Sequence, residues 1–315
     1  MEKIVTYSPA YTLVPTYECF NRCSYCNFRR DPGKDEWMSL QRAEKILRSL
    51  QSHQDVTEIL ILSGEVHPQS KRRAAWFQRI YDLCKLALSF GFLPHTNAGP
   101  LSYAEMAQLK AVNVSMGLML EQITPQLLKT VHTHAPSKQP EVRLQQLDFA
   151  GQLKIPFTTG LLLGLGETVD DWANSLQAIA RAHQVHHHIQ EVILQPHQPG
   201  QSQVEKRPSC HGETLLKAVN LARALLPSDI TIQIPPNLIL SDSALIECIE
   251  AGAQDLGGIG PIDEVNPDYK HRNYDAIAQL LSQQNWTLKP RLPIYESYDS
   301  WLPPQLRAAI KQYRV

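Results

Sequence analysis

No apolar run in the 315-residue chain approaches the roughly 20 residues that a helix needs to cross a bilayer. The first residues, Met1-Glu2-Lys3-Ile4-Val5, lack the apolar stretch of a signal peptide, so a cytoplasmic location is expected. Neither sign of charge is in excess: 30 Lys and Arg stand against 31 Asp and Glu. Without a basic stripe, nothing favours nucleic acid or a membrane as a partner. Linkers, internal repeats and low-complexity tracts are missing too. One domain over residues 1–315 is therefore expected, with a core over about 10–257 and a closing segment over about 258–315.

Cysteine is scarce and unevenly placed. Three of the six fall within eight residues, Cys19-Phe20-Asn21-Arg22-Cys23-Ser24-Tyr25-Cys26. In a cytosolic chain such a group points to metal rather than to disulfides. Thiolates are soft donors that suit iron–sulfur clusters and zinc. A fourth cysteine nearby is lacking. A closed structural zinc site takes four ligands, and an electron-transfer cluster usually takes four cysteines. Three thiolates leave one metal position open, where a small molecule can bind and react. A [4Fe–4S] cluster held by Cys19, Cys23 and Cys26 is the reading this favours; the same cysteines plus a histidine around zinc is its rival. Cys84 and Cys248 lie in apolar helical patterns and read as core thiols, and Cys210 stands alone.

Strand and helix patterns alternate along the rest of the chain at about 30-residue spacing. Helical periodicity covers 39–50, 73–90, 213–226 and 243–251, and capping boxes open helices at Ser102 with Glu105 and at Thr168 with Asp171. Apolar strands are expected at 56–62, 92–95, 112–120, 155–163, 191–195 and 230–234. Repeated strand–helix units argue for a parallel α/β fold, a (β/α)8 TIM-type barrel, with a partial (β/α)6 barrel as the competing architecture. Polar or glycine clusters follow successive strands: Ser63-Gly64-Glu65, Asn97, Glu121, Gly164-Leu165-Gly166-Glu167, and Gln195 with His197. In a parallel barrel these all reach one face, which is where such enzymes work. The tract His183, His186, His187, His188 has no acidic or cysteine neighbour in sequence and reads as an exposed loop.

The C-x3-C-x2-C spacing, with the aromatic Tyr25 directly before the third cysteine, resembles the radical S-adenosylmethionine (SAM) superfamily. Gly64-Glu65 resembles that superfamily's Gly-Gly-Glu segment, with Ser63 in place of the first glycine. Gly160, Gly164 and Gly166 resemble its glycine-rich fifth strand, and Asn97, Ser115, Glu121 and Arg143 its polar positions around the ribose and carboxylate. The resemblance implies that these residues bind the cofactor, that the open iron takes SAM, and that one electron from a donor such as ferredoxin or flavodoxin produces a 5′-deoxyadenosyl radical.

Four further segments, 17–29, 115–121, 255–268 and 291–295, narrow the likeness. Over nearly the whole chain they resemble the smaller radical subunit (CofG) of the deazaflavin-forming synthase family, with Gly260 where that family commonly has Ser. The implied substrate is an adduct of a 4-hydroxybenzyl group and a ribityl diaminouracil, supplied by a companion CofH-like subunit and closed to a tricycle with loss of ammonia. Asp263, Glu264, Asn266, Arg291 and Tyr295 are the expected substrate-side residues. Other radical SAM enzymes, of the CofH, biotin synthase or methylornithine synthase type, share the cluster and cofactor motifs and are alternatives.

Overall fold

The computed structural model describes residues 2–52 and 56–314; Met1 and Val315, the ends of the expected domain, lie outside the described residues. Among the described residues, nine strands form one parallel sheet: β1 (Lys3–Leu13), β2 (Glu58–Leu62), β3 (Leu93–Asn97), β4 (Ser115–Gly117), β5 (Phe157–Leu163), β6 (Ile189–Pro196), β7 (Thr231–Gln233), β8 (Asp255–Ile259) and β9 (Trp286–Pro290). Strands β2 to β8 pair in sequence order, and β1 pairs with both β8 and β2, closing the barrel. Helices fill the crossovers: α1 (Leu40–Leu50), α2 (Arg73–Ser89), α3 (Tyr103–Leu109), α4 (Pro125–Leu128), α5 (Pro140–Gln152), α6 (Val169–His186), α7 (Gly212–Leu225), α8 (Asp242–Glu250) and α9 (Tyr274–Ser282). This is the (β/α)8 fold, so the partial barrel is set aside. No helix among the described residues is long and apolar enough to cross a membrane.

The expected caps are present. Ser102 accepts from the Glu105 N–H while Glu105 accepts from the Ser102 N–H, and Thr168 and Asp171 do the same at α6. The main core lies between barrel and helices, with Trp76, Ile80 and Cys84 of α2 and Cys248 of α8 fully buried.

Three elements differ from the sequence patterns. The apolar run 112–120 is a strand only over Ser115–Gly117, because Val112 and Val114 turn into the core before it. Strand β1 begins at Lys3, well before its apolar end, and serves three neighbours. Its first half pairs with β9 (Lys3↔Trp286 to Tyr7↔Pro290), its middle with β8 (Thr6↔Asp255 to Pro9↔Ile259) and its end with β2 (Ala10↔Glu58 to Leu13↔Ile61). After β9 the chain crosses beneath the barrel. There Leu292, Ile294, Tyr298 and, from α10 (Pro304–Lys311), Leu306 pack on Leu93 and Val114 at the starts of β3 and β4. That end of the barrel is therefore plugged, and the end carrying the cysteine loop is the open face.

Candidate functional site

The cysteine loop joins β1 to α1 and is held from both sides. On one side the Phe20 N–H donates to the Glu65 carbonyl at 3.0 Å and the Gly64 N–H to the Thr16 carbonyl at 2.8 Å. A side chain at Gly64 would put its Cβ 2.1 Å from the Glu18 carbonyl oxygen, so only glycine allows this approach. On the other side Arg22 and Ser24 donate to the carbonyls of His134 and Val131. The Glu18 carboxylate, 2% exposed, ties the loop's return by accepting from the Gly33 N–H, the Trp37 indole and Arg72.

Cys19, Cys23 and Cys26 line the mouth of a cavity of about 360 Å³ that runs down the barrel axis. Burial pushes the Cys19 and Cys23 thiols up to about 11. Among the described residues, a set of metal-capable side chains with all ligand atoms within 4.8 Å of one another occurs at His183, His187 and Asp229, not at the cysteines. A single tetrahedral zinc would hold its thiolates about 3.8 Å apart, given bonds of about 2.3 Å. At least one pair of the three thiols is farther apart than 4.8 Å, and this, with their common outlook on the cavity, fits a polynuclear centre with thiolates at its corners.

Beside them Glu65 is fixed by three donors. Asn21 Nδ2 reaches Oε2 at 2.8 Å, Ser137 Oγ donates to the same oxygen, and Arg143 Nη2 reaches Oε1 at 3.0 Å. Arg143 comes from α5, is 2% exposed, and also donates to the carbonyls of Ser137 and Met119. Glu121, at positive φ (65°) after β4, pairs with Lys138 and lies 4.0 Å from Arg143. Burial would raise its carboxyl, but these two cations outweigh burial and hold it below the usual range. Ser63, Gly64, Asn97 and Tyr25 also line the cavity, and the Tyr25 hydroxyl is 3.0 Å from His132 Nε2.

Other expected positions fall elsewhere. Gly160, Gly164 and Gly166 are not on the cavity wall. Gly160 packs on the Ile193 carbonyl of β6, and Gly164 and Gly166 take positive φ (92° and 109°) in the turn after β5, where Glu167 accepts from the Gly164 and Leu165 N–H groups. Ser115 lies at the plugged end, between His95 Nδ1 (2.7 Å) and the Pro293 carbonyl. The five substrate-side candidates divide between the two ends. Asp263, Glu264 and Asn266 line the open rim after β8, with Tyr17 donating to Glu264 at 2.6 Å. Arg291 and Tyr295 belong to the plug.

Arg291 organises the closed end. Its guanidinium donates to Asp255 (2.6 and 2.8 Å) and to Glu191, and Tyr295 donates to Glu191 at 2.9 Å. Glu58 of β2 accepts from Ser8. Glu58, Glu191 and Arg291 line the same cavity as the cysteines. Three buried carboxylates face one guanidinium, and burial pushes Glu191 up to about 7 despite Arg291. Sequence reasoning missed Glu58, Glu191 and Asp255, although each is an acid at the start of an apolar strand, a position where burial needs a reason.

The histidine tract is not the exposed loop expected. His183 and His186 lie in α6, His187 caps it at positive φ (54°), and His183 and His188 are buried. Acidic partners arrive from elsewhere in the chain: Asp229 lies 3.1 Å from His183 and Asp148 lies 2.8 Å from His186. The Ile189 N–H donates to His183 Nδ1, which leaves the proton on Nε2, facing Asp229. That tautomer serves the helix end and offers no lone pair to a metal.

Residues 13–179 match the model of the radical SAM superfamily. Among curated relatives, the 7,8-didemethyl-8-hydroxy-5-deazariboflavin synthase of Trichormus variabilis (strain ATCC 29413 / PCC 7937) is 64% identical over 311 residues, 99% of this chain and 91% of its own. That of Trichodesmium erythraeum (strain IMS101) is 59% identical over 315 residues, 100% and 98%. Among solved structures, the FeFe-hydrogenase maturase HydG from Carboxydothermus hydrogenoformans superposes with a TM-score of 0.74 at 19% identity, over 99% of this chain and 77% of its own. Methylornithine synthase (PylB) superposes with a TM-score of 0.70 at 13% identity, over 95% and 86%. These two likenesses show the fold. The chain belongs to the radical SAM superfamily and is an enzyme of that class, with SAM and an iron–sulfur cluster as its cofactors. Within it, the chain belongs to the family of the 7,8-didemethyl-8-hydroxy-5-deazariboflavin synthases.

Proposed function

We propose that this chain is a carbon–nitrogen lyase of deazaflavin coenzyme biosynthesis. It cyclises a 5-amino-5-(4-hydroxybenzyl)-6-(D-ribitylimino)-5,6-dihydrouracil-type adduct, with loss of ammonia, to 7,8-didemethyl-8-hydroxy-5-deazariboflavin, and produces 5′-deoxyadenosine and methionine. The observation that carries the reading is the single cavity joining the cysteine loop to the closed end of the barrel, in a chain 64% identical to a synthase of that product.

Cys19, Cys23 and Cys26 would hold a [4Fe–4S] cluster. When bound, the cluster and SAM supply reductive cleavage of a sulfonium and a 5′-deoxyadenosyl radical. The chain's own residues bind and orient. Glu65 offers a carboxylate already fixed by Asn21, Ser137 and Arg143 to the ammonium of the methionyl part. Asn97, Glu121 and Tyr25 flank the nucleoside side of the mouth. Gly160, Gly164 and Gly166 shape the β5 wall behind it, and Ser115 holds His95 of β3 against the lumen from below. Leu60, Leu62, Met119, Leu162 and Ile193 make an apolar lumen that keeps water from a reactive intermediate. Asp263, Glu264 and Asn266 meet the substrate at the rim, and Arg291, steadied by Tyr295, meets its far end. A companion CofH-like radical subunit would supply the adduct, and ferredoxin or flavodoxin the electron. Barrel and plug act as one domain, since Arg291 reaches into the lumen from the closing segment.

The test is anaerobic. The reconstituted protein with reductant, SAM and the adduct should give deoxyadenosine and the fluorescent deazaflavin, and Cys23→Ala should give neither. Deoxyadenosine without fluorescence would assign the chain another substrate. Neither product, from protein that carries its cluster, would reject the radical reading.

A further inference from the structure

Radical chemistry at the cysteine end does not account for the polar closed end of the lumen. Small residues, Ala10, Gly117 and Gly258, leave the barrel axis open down to Glu58. The three buried carboxylates there are unequally served. Asp255 accepts from Arg291, Thr6 and the Gly257 N–H, and Glu191 accepts from Arg291, Tyr295 and Thr158. Glu58, 7% exposed, has Ser8 as its hydrogen-bond donor among the described residues, and its remaining surface faces the cavity. A buried carboxylate with so few donors is an acceptor awaiting a partner.

Its neighbours define what that partner is. Ser115 donates to the Pro293 carbonyl, so the Ser115 oxygen accepts from His95 Nδ1–H. His95 Nε2 is then a bare acceptor, and it faces the lumen beside Gly117. Arg291, which lines the same cavity, is a donor only, and the Gln233 amide offers both a donor and an acceptor. A lone ammonium would use acceptors only and leave the N–H groups of Arg291 and Gln233 without one. A vicinal polyol fits, because each hydroxyl gives one hydrogen bond and takes another.

We propose that the closed end of the lumen is the subsite for the polyhydroxyl chain of the substrate, with Glu58 as its specificity-determining acceptor. This rests on the function proposed above and adds an orientation: the ribityl chain points down the barrel, and the hydroxybenzyl and uracil rings lie in the apolar section nearer the cysteines.

Calorimetric titration of the cluster-loaded, unreduced protein tests it without turnover. The two ligands are the ribityl adduct and an analogue with N-methyl in place of ribityl. Glu58→Ala is expected to weaken the ribityl adduct about tenfold or more. The methyl analogue should stay within about twofold of its wild-type affinity. Glu58→Gln, which keeps the side chain's shape, should show a smaller loss of the same selectivity, and Gln233→Ala should follow Glu58→Ala. Equal losses for both ligands, or none for either, would overturn the subsite. If the reduced wild-type enzyme makes no deazaflavin from the adduct, the functional reading fails instead.

Discussion

Arg143 and Glu65 stand 78 positions apart in the sequence and 3.0 Å apart in space, beside the three cysteines. Arg143 is the hub of this end of the site: one side chain fixes Glu65, approaches Glu121 and ties down the carbonyls of Met119 and Ser137. Replacing it by Met leaves Glu65 short of a cation in a buried setting. The expected cost is about 3–5 kcal/mol of unfolding free energy, the usual penalty for removing one partner of a buried pair. Urea denaturation of the two proteins measures it, and a loss below about 1 kcal/mol would show that Asn21 and Ser137 suffice for Glu65.

Gly64→Ala should act on the metal site through the backbone. The added Cβ would fall 2.1 Å from the Glu18 carbonyl oxygen, so the Ser63–Glu65 turn and the strand entering the cysteine loop must separate. Iron content after anaerobic reconstitution should drop to a minor fraction of wild type, with a lowered melting temperature. Gly91→Ala, where the added atom meets nothing within 4 Å, is strained only by its positive φ (89°) and should load iron normally. Equal iron in the two variants would refute the close-approach argument.

The contrast between these residues explains what the sequence made legible. Cysteines four and three positions apart declare themselves as candidate ligands, and caps such as Ser102 with Glu105 are as plain, because their partners are local. The alternation of apolar strands gave the barrel. Arg143 and Glu65 could be named singly, but nothing in their spacing pairs them. The closed end was hidden for the same reason: Glu58, Glu191, Asp255 and Arg291 each look like an acid or base flanking a strand, and only closure of the barrel brings them together. The early half of β1, Lys3 to Tyr7, and the short β9, ending in Pro290, lack strand periodicity because they pair chiefly with each other. The histidine tract misled because its acids, Asp148 and Asp229, come from other crossovers.

Glu191 makes stability depend on pH. Its carboxyl titrates near 4.5 as a free side chain and at about 7 in the fold, because burial favours the neutral form more than Arg291 favours the charged one. The folded state thus holds a proton that the unfolded chain has released. The resulting contribution is fully present below pH 4.5 and is lost as pH rises through 7; it amounts to roughly 3 kcal/mol at most. The difference in unfolding free energy between wild type and Glu191→Gln, measured from pH 5 to 8, should fall in wild type's disfavour as pH rises. A flat difference would mean that Arg291 already holds Glu191 ionised throughout.

Iron loading should separate the six cysteines cleanly. Cys19, Cys23 and Cys26 face the cavity, whereas Cys84 and Cys248 are fully buried in the helix–barrel core and Cys210 packs beside Gly164. Alanine at any of the first three should abolish the brown chromophore and most bound iron. Cys84→Ala and Cys248→Ala should load iron as wild type does while losing about 1–2 kcal/mol of stability to the small cavities they leave. The double variant His183→Ala, His187→Ala is the control for the second group of metal-capable side chains. With the His183 Nε2 proton directed at Asp229, that group should contribute nothing to metal content, and the variant should differ from wild type only in the stability of the α6 terminus. Loss of a zinc equivalent in the histidine variant, with iron unchanged, would show that the tautomer can be exchanged for a metal bond.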